Sequence, residues 1–349
     1  MSVSRIQRDA IFRSLVNRIG ISSSSFSASA FAAENNLTIT SVYRYLDQLI
    51  EYGLIKKQKQ GRKNIYSFID RNLSLEYDFP VPSEDIVWSR EISPFLLGVP
   101  DIPLYNLSFA FTEMLNNAID HSDGTHVSIS VTANVYQTTI IIRDNGIGIF
   151  RKIQEAMGLE EKSFAILELA KGKFTTDPAS HTGEGIFFSS KVVDDFAIFS
   201  DDLIFLGPTS NTLPYIDKSH ISHTGTTVLL GIRNSHTQTA KEVFDQFIDD
   251  PDSYGFSKTI VPVRLLEYGD ENPLVVSRSQ AKRLMVRFDR FENIVLDFSG
   301  IENIGQGFAD ELFRVFPSQH PGTTLTPVNC CPSVTQMIRR VQSQALKGN

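Results

Sequence analysis

Cysteine is scarce in this chain, because the only two cysteines, Cys330 and Cys331, are adjacent. Two neighbouring thiols cannot build a disulfide framework or supply the four ligands of a tetrahedral metal site. The chain also lacks any apolar run close to the roughly 20 residues that cross a bilayer. Its first residues lack the apolar core of a signal peptide. These absences predict a cytoplasmic protein.

Positive charge is concentrated in the N-terminal part. Residues 1–71 carry 11 Lys and Arg against 5 Asp and Glu, whereas the remaining residues carry 22 against 35. An acidic body argues against general nucleic-acid binding, but a basic N-terminal segment permits local binding. With 349 residues the chain is long enough for two or three domains, each with its own core.

The basic N-terminal segment has the pattern of helices followed by a hairpin. Helical spacing near the start, a serine-rich break and a turn at Asn36-Leu37-Thr38 precede a helix predicted from about Thr40 to Tyr52. Gly53 ends this helix. Residues 54–66 then alternate as in a hairpin with a basic tip.

This order of elements resembles a winged helix-turn-helix domain. The resemblance implies that the second helix of the motif enters the major groove of double-stranded DNA and that the hairpin meets phosphates. The residues expected at the groove are Ser41, Tyr43, Arg44 and Tyr45, and those expected at phosphates are Lys57, Lys59, Arg62 and Lys63. The alternative is a winged helix that contacts only proteins, with these charges on a solvated face.

Proline is frequent in the segment that follows. Residues 72–100 contain Pro80, Pro82, Pro94 and Pro100 and show little clear periodicity. This composition is typical of a connection between domains. We expect the segment to become structured near Trp88.

Residues 104–121 have helical periodicity with an apolar stripe on one side. Glu113, Asn117 and Asp120 lie at i, i+4 and i+7 and therefore share the other face. A carboxylate one turn from a carboxamide can orient and deprotonate a water, while the amide oxygen binds a phosphate-bound Mg²⁺. By the same periodicity Asn116 is expected off this face.

A predicted strand pair ends directly in Asp144-Asn145-Gly146-Ile147-Gly148. A buried aspartate at a strand end can accept a hydrogen bond from the amino group of adenine, and the two glycines allow the backbone close to the base. The alternative is an ordinary turn, because Asp-Asn-Gly is a common turn sequence. The helix that carries Glu113 favours the nucleotide interpretation.

Another glycine-rich stretch, Gly183-Glu184-Gly185, opens an apolar helix. Backbone amides at a helix N-terminus bind anions such as phosphate. Before it, residues 150–182 have helical propensity followed by polar residues. Lys171, Lys173 and Thr175 are candidates for phosphate contacts, with solvated surface as the alternative for each.

Taken together and in this order, these segments resemble the ATP site of the GHKL superfamily, which includes gyrase, mismatch-repair and heat-shock ATPases, histidine kinases and anti-sigma kinases. The resemblance implies ATP and Mg²⁺ binding, with Glu113 in the acid position, Asn117 as the metal ligand and Asp144 as the adenine-specifying carboxylate. Residues 150–182 would form a lid over ATP. The residues expected at the nucleotide are Asn117, Asp120, Asp144, Gly146, Gly148, Lys173, Gly183, Gly185 and Thr226.

Two of these assignments carry further expectations. Thr226, in a strand predicted from His223 to Leu230, would hydrogen-bond around adenine through water. His121 is expected to make a local structural or phosphate-side contact rather than to act in catalysis.

Residues 278–344 alternate helix and strand, which is the pattern of an α/β layer. The run from Asp297-Phe298-Ser299-Gly300 to Phe308-Ala309-Asp310-Glu311 resembles the STAS-like domains related to anti-sigma antagonists. Those antagonists carry a phosphorylatable Ser or Thr just before the helix-starting glycine, whereas Gln306 stands there in this chain. A glutamine cannot accept a phosphoryl group, so we expect a docking or regulatory module, with Ser299 as an alternative acceptor.

The predicted fold class is a multidomain α+β and α/β protein. It comprises a small winged helix at residues 1–71, a connector at 72–100, a GHKL α/β sandwich with a mixed sheet at 101–240 and a STAS-like domain at 250–349. Three functions remain open: an ATP-dependent regulator that binds DNA or a protein partner, a serine/threonine kinase for a separate STAS protein, and an adaptor in which ATP only stabilises the fold. A homodimer is one further expectation.

Overall fold

A computed structural model describes residues 5–21, 26–61, 63–174, 183–209, 214–248, 256–267 and 275–347. Three sheets and their surrounding helices confirm the predicted multidomain α+β and α/β fold class. Among the described helices, none combines the length and the apolar character needed to span a membrane.

The N-terminal part contains three helices and a hairpin. The elements are α1 (Arg5–Ile21), α2 (Ala28–Glu34), α3 (Ile39–Glu51), β1 (Ile55–Gln60) and β2 (Lys63–Phe68). The side chain of Thr38 accepts a hydrogen bond from the Ser41 amide and so caps the N-terminus of α3. Residues of all five elements, including Leu15, Phe31 and Leu46, form a separate hydrophobic core.

The segment predicted as a connector is part of the central domain. Strand β3 (Arg71–Asp78) pairs antiparallel with β4 (His126–Ala133) along its whole length. Beyond it lie α4 (Glu84–Val87), a π-helical turn (Trp88–Ile92) and α5 (Ser93–Phe95). Trp88, near which structure was expected to begin, packs 5.5 Å from the ring of Phe111. The central sheet therefore includes residues 71–78, although residues 72–100 were predicted as a connector.

A five-stranded sheet in the order β3-β4-β5-β7-β6 forms the centre of the molecule. The remaining strands are β5 (Gln137–Asp144), β6 (Asp195–Leu206) and β7 (Tyr215–Arg233). All neighbouring pairs in this sheet are antiparallel, so the expectation of a mixed sheet is wrong for the described strands. The helices of this part are α6 (Asp101–His121), α7 (Ile149–Met157), α8 (Ser163–Lys171), α9 (Gly185–Val192) and α10 (Ala240–Phe244).

The C-terminal part has a three-stranded parallel sheet in the order β10-β9-β8. Its strands are β8 (Lys258–Pro262), β9 (Asn293–Asp297) and β10 (Thr324–Val328). The helices are α11 (Arg278–Met285), α12 (Gln306–Asp310), α13 (Phe316–Gln319) and α14 (Pro332–Lys347). Strands alternate with helices, as the sequence predicts for an α/β layer.

Both flanking parts pack on the central domain. The turn between β4 and β5 inserts Tyr136 against the N-terminal part, where its ring stacks on Phe68 with 5.4 Å between ring centres. Gly20 allows this contact, because a side chain at this position would overlap the Tyr136 ring as it is placed. On the opposite side, the buried residues of the C-terminal part share one continuous core with those of the central domain.

Candidate functional site

Helix α6 brings the predicted acid and metal residues to one cavity. Met114 and Leu115 are buried in the core and fix the rotation of the helix. Glu113 and Asn117, one turn apart, are half-buried and line a cavity of about 320 Å³. This volume falls at the small end of the range of about 300–1,000 Å³ found for ligand sites.

Asp144, at the end of β5, lies in the same cavity with only 5% of its surface exposed. Its Oδ1 accepts hydrogen bonds from the Gly146 amide at 2.9 Å and the Thr226 amide at 3.1 Å. Burial raises the pKa of this carboxyl, and the bonds from Gly146 and Thr226 oppose the rise. Both bonds use Oδ1 and hold the carboxylate in the wall of the cavity.

The backbone around Asp144 is close-packed because of three glycines. A side chain on Gly225 would overlap the Asp144 carbonyl, and one on Gly146 would overlap the backbone of Ser122. Gly148 has φ of 90°, a conformation that favours glycine. The cavity wall could not form this closely with larger residues.

Thr226 links β5 to the start of α7 through two hydrogen bonds. Its hydroxyl accepts a hydrogen bond from the Ile149 amide at 3.0 Å, where α7 begins. Its own amide donates to Asp144. Thr226 also lines the cavity.

The N-terminus of α9 forms the opposite end of the cavity. Gly183 and Gly185 line it, and a side chain on Gly185 would overlap Oε2 of Glu113. The predicted acid therefore lies directly against the predicted phosphate-binding turn. Burial raises the pKa of Glu184, Lys173 opposes this shift, and the nearby Glu113 charge adds to it.

The chemistry of this cavity fits adenosine triphosphate. Apolar walls from Ile142, Ile153 and Val228 suit a purine, and Asp144 supplies an acceptor for its amino group. Helix N-terminal amides at Gly185 suit phosphates. Asn117 supplies the neutral oxygen that Mg²⁺ accepts when phosphates and water provide its other ligands. Within the described residues, no group of three His, Cys, Asp or Glu could hold a metal by itself.

Three predicted nucleotide residues do not line the cavity. Asp120 is exposed on the last turn of α6 and does not line the cavity. Gly146 is adjacent to the wall and acts through Asp144. Lys173 points to the C-terminal part, where its ammonium donates to the Arg290 carbonyl at 3.1 Å. Thr175 lies outside the described residues.

The cavity also contains residues that sequence reasoning missed. Asn116, expected off the functional face, lines it, as do Ser122 and Lys152. The Lys152 ammonium donates to the His121 carbonyl at 2.7 Å and to Asp123 at 2.8 Å. Lys152 lies in the first turn of α7, directly after the Asp144–Gly148 motif, and this position in the sequence could have indicated that it lines the cavity. His121 lines the cavity as well.

Lys171 is neither a phosphate contact nor a solvated residue, because it is fully buried. Its ammonium donates to Glu168 at 2.5 Å and to the Val286 carbonyl at 3.0 Å. Burial lowers the pKa of Lys171 to about 8 despite the Glu168 charge. This lysine therefore belongs to the contact between α8 and the C-terminal part.

In the N-terminal part, the predicted DNA-contacting side chains lie on two surfaces. Tyr43 and Arg44 are exposed on α3, and Ser41 is half-buried at its start. Lys57, Lys59 and Lys63 are exposed on the hairpin, and Arg62 lies outside the described residues. Tyr45 is only 3% exposed and packs edge-on against Phe12, so its expected place in the groove is wrong.

The C-terminal part presents Gln306 as an exposed residue at the first position of α12. Gly305, which precedes it, lies so close to the backbone of Val276 that a side chain there would overlap it. The turn before α12 thus leads into a neutral amide side chain at the first position of the helix.

Comparison with known families agrees with this geometry. The family described as histidine kinase-, DNA gyrase B- and HSP90-like ATPase matches residues 105–233. A STAS-like domain of unknown function matches residues 280–335. A comparison with curated proteins gave no match. This chain therefore carries a GHKL-type ATPase domain at residues 105–233 and a STAS-like domain at residues 280–335.

Proposed function

We propose that the protein is an ATP-dependent regulator that hydrolyses ATP slowly and couples its nucleotide state to DNA or protein binding. The observation that carries the proposal is the convergence of Glu113, Asp144 and the Gly183–Gly185 turn on one cavity. The cavity thus combines a carboxylate that can accept a hydrogen bond from a nucleobase, a second carboxylate and a helix N-terminus suited to anions. This arrangement supports binding of a purine nucleotide with its phosphates directed to α9.

Each residue has a distinct role in this proposal. Asp144 accepts a hydrogen bond from the adenine amino group, and Gly148 allows the backbone to approach the base. Glu113 orients and deprotonates the attacking water. Asn117 would hold Mg²⁺, which would neutralise charge on the phosphates.

Replacing Glu113 separates turnover from binding. We expect Glu113→Gln to lower the ATP turnover rate at least about 100-fold, the lower range for general-base catalysis, while ATP affinity changes less than about twofold. Steady-state hydrolysis and calorimetry measure the two quantities. Glu155→Gln is the matched control, because Glu155 is exposed on α7 and does not line the cavity. Turnover retained in Glu113→Gln would remove the base assignment.

The proposed output of the regulator is the N-terminal part. Its net positive charge and the exposed Tyr43, Arg44, Lys57 and Lys63 support binding to double-stranded DNA. Docking of this part on the central sheet through Tyr136 supports communication between the two. A protein partner at the STAS-like domain is the other output that the domain composition supports.

A serine/threonine kinase that acts on a separate STAS protein is the second candidate. The exposed Gln306 favours a separate substrate, because this domain has no hydroxyl at the position that antagonists phosphorylate. Incubation with γ-labelled ATP and candidate proteins distinguishes the two. Label on a protein partner supports the kinase, whereas release of free phosphate alone supports the regulator. An adaptor in which ATP only stabilises the fold would bind its partners equally with and without nucleotide.

A further inference from the structure

The C-terminal end of α8 is held by the STAS-like part of the chain. A helix end leaves its last carbonyls without partners inside the helix. Here three successive carbonyls accept hydrogen bonds across the contact: Lys171 from Thr259 at 2.8 Å, Gly172 from Arg287 at 2.8 Å and Lys173 from Arg290 at 3.3 Å. The Lys171 and Gly172 carbonyls belong to the end of α8 and the Lys173 carbonyl follows it, so the C-terminal part caps this helix end. Two of the three donors are cations, which a helix C-terminus favours.

Arg287 makes the central contact in this cap. Besides its bond to Gly172, it donates to Glu168 at 3.1 Å. Glu168 is 2% exposed and also accepts from Lys171, so one buried carboxylate pairs with two cations. Removing one cation leaves the buried Glu168 charge only partly paired, which destabilises the folded protein.

The other side of the same segment forms the nucleotide cavity. Leu169 and Phe174 line it, and the Phe174 amide donates to the Gly183 carbonyl at 3.1 Å. The Arg287 guanidinium lies over the Phe174 ring at 5.3 Å from its centre. Arg287, from the C-terminal part, thus contacts Phe174, which lines the cavity on its other side.

We propose that Arg287 is a positioning residue for the ATP site, acting through Glu168, Gly172 and Phe174. This inference rests on the proposed function. It places control of phosphate binding in the STAS-like domain. Because coupling between two sites is reciprocal, a partner that moves this domain changes ATP affinity, and ATP changes the affinity for that partner by the same factor.

The experiment uses the full chain and two replacements of Arg287. This residue has φ of 63°, a conformation that glycine adopts readily, so Arg287→Gly removes the side chain without opposing the backbone. Arg287→Lys keeps the charge but loses the planar fork. Arg314→Ala is the matched control, because Arg314 pairs with Asp310 inside the C-terminal part, away from α8.

Calorimetry with Mg²⁺ then compares ATP with adenosine for each variant. We expect Arg287→Gly to weaken ATP binding about tenfold or more, the range for a lost charged hydrogen bond, and adenosine binding less than twofold. Arg287→Lys should recover part of the loss. Arg314→Ala should match the unchanged protein for both ligands.

The outcomes separate this inference from the proposed function. If the unchanged protein binds neither ligand, the proposed function fails. If it binds ATP and Arg287→Gly binds ATP equally well, the positioning role is overturned. An equal loss for ATP and adenosine also overturns it, because that result describes a general loss of structure rather than an effect at the phosphates.

Discussion

At the scale of single residues, the exposed face of α3 gives a direct test of the DNA proposal. Arg44 is exposed beside Tyr43, and its guanidinium carbon lies 5.5 Å from the centre of the Tyr45 ring. We expect Arg44→Ala to weaken binding to a specific duplex by about 1–3 kcal/mol, the range for an arginine that contacts a base edge. Fluorescence anisotropy at fixed salt measures this.

The control for that experiment is Arg340→Ala. Arg340 is also an exposed helical arginine, but it lies on α14 of the C-terminal part. Equal affinities of the two variants would contradict a DNA-reading role for α3 and favour a winged helix that contacts proteins.

The same helix shows what periodicity settles and what it leaves open. Val42, Tyr45 and Leu49 follow helical spacing and are buried together, so the sequence itself contains the signal that excludes Tyr45 from the surface. On α6, by contrast, spacing correctly joins Glu113 to Asn117 but also includes Asp120. Only the neighbouring strands and α7 decide where the cavity ends, and no local pattern carries that information.

At the scale of elements, a charged cluster centred on Asp194 joins the segment before β6 to the end of β7. Asp194 accepts hydrogen bonds from Arg233 at 2.6 Å and from His236 at 3.1 Å. Burial alone would raise the pKa of this carboxyl, but these bonds hold the pKa well below its usual range. A carboxyl whose pKa is lowered by folding stabilises the folded state at pH values above its unfolded-state pKa. This stabilisation is lost as the pH falls towards the folded-state pKa.

We therefore expect Asp194→Asn to lower the stability of the central domain by about 1–3 kcal/mol at pH 7, from lost charged hydrogen bonds. The difference from the unchanged protein should shrink below about pH 4, the ordinary range of an aspartate. Urea unfolding followed by fluorescence measures it, because Trp88 is the only tryptophan and packs in this domain.

Asp195→Asn is the control for this prediction. Burial and the Asp194 charge raise the pKa of Asp195, so its ionised form is disfavoured in the folded protein. Its replacement should leave stability at pH 7 unchanged or raised. Equal losses in the two variants would contradict the account of the cluster.

Most helices and strands were predicted from the sequence, but strand β3 was not. In strand β3, Leu73, Leu75 and Tyr77 are half-buried and alternate with exposed residues, which is the pattern of an edge strand. The prolines that follow favoured a connector instead. The partner of β3 is residues 126–133, which lie far from it in the sequence. A local sequence pattern cannot show such a pairing.

At the scale of the whole molecule, the ATPase domain connects the other two parts. The N-terminal part docks at the β4–β5 turn, and the STAS-like part caps α8 beside the cavity. Family resemblance predicted the three-part order, but not these contacts. Lys173 and Arg290 meet across more than a hundred residues of sequence, so a lysine expected at phosphates serves the domain contact instead.

We expect the cavity to bind ATP through Asp144, and calorimetry at millimolar Mg²⁺ measures this binding. Asp297→Asn is the matched control, because Asp297 is also a buried strand-end aspartate that accepts a bond from the amide two residues on. We predict that the unchanged protein and Asp297→Asn bind ATP equally, and that Asp144→Asn binds at least about tenfold more weakly. No binding heat in the unchanged protein, or equal affinity in Asp144→Asn, would contradict the account.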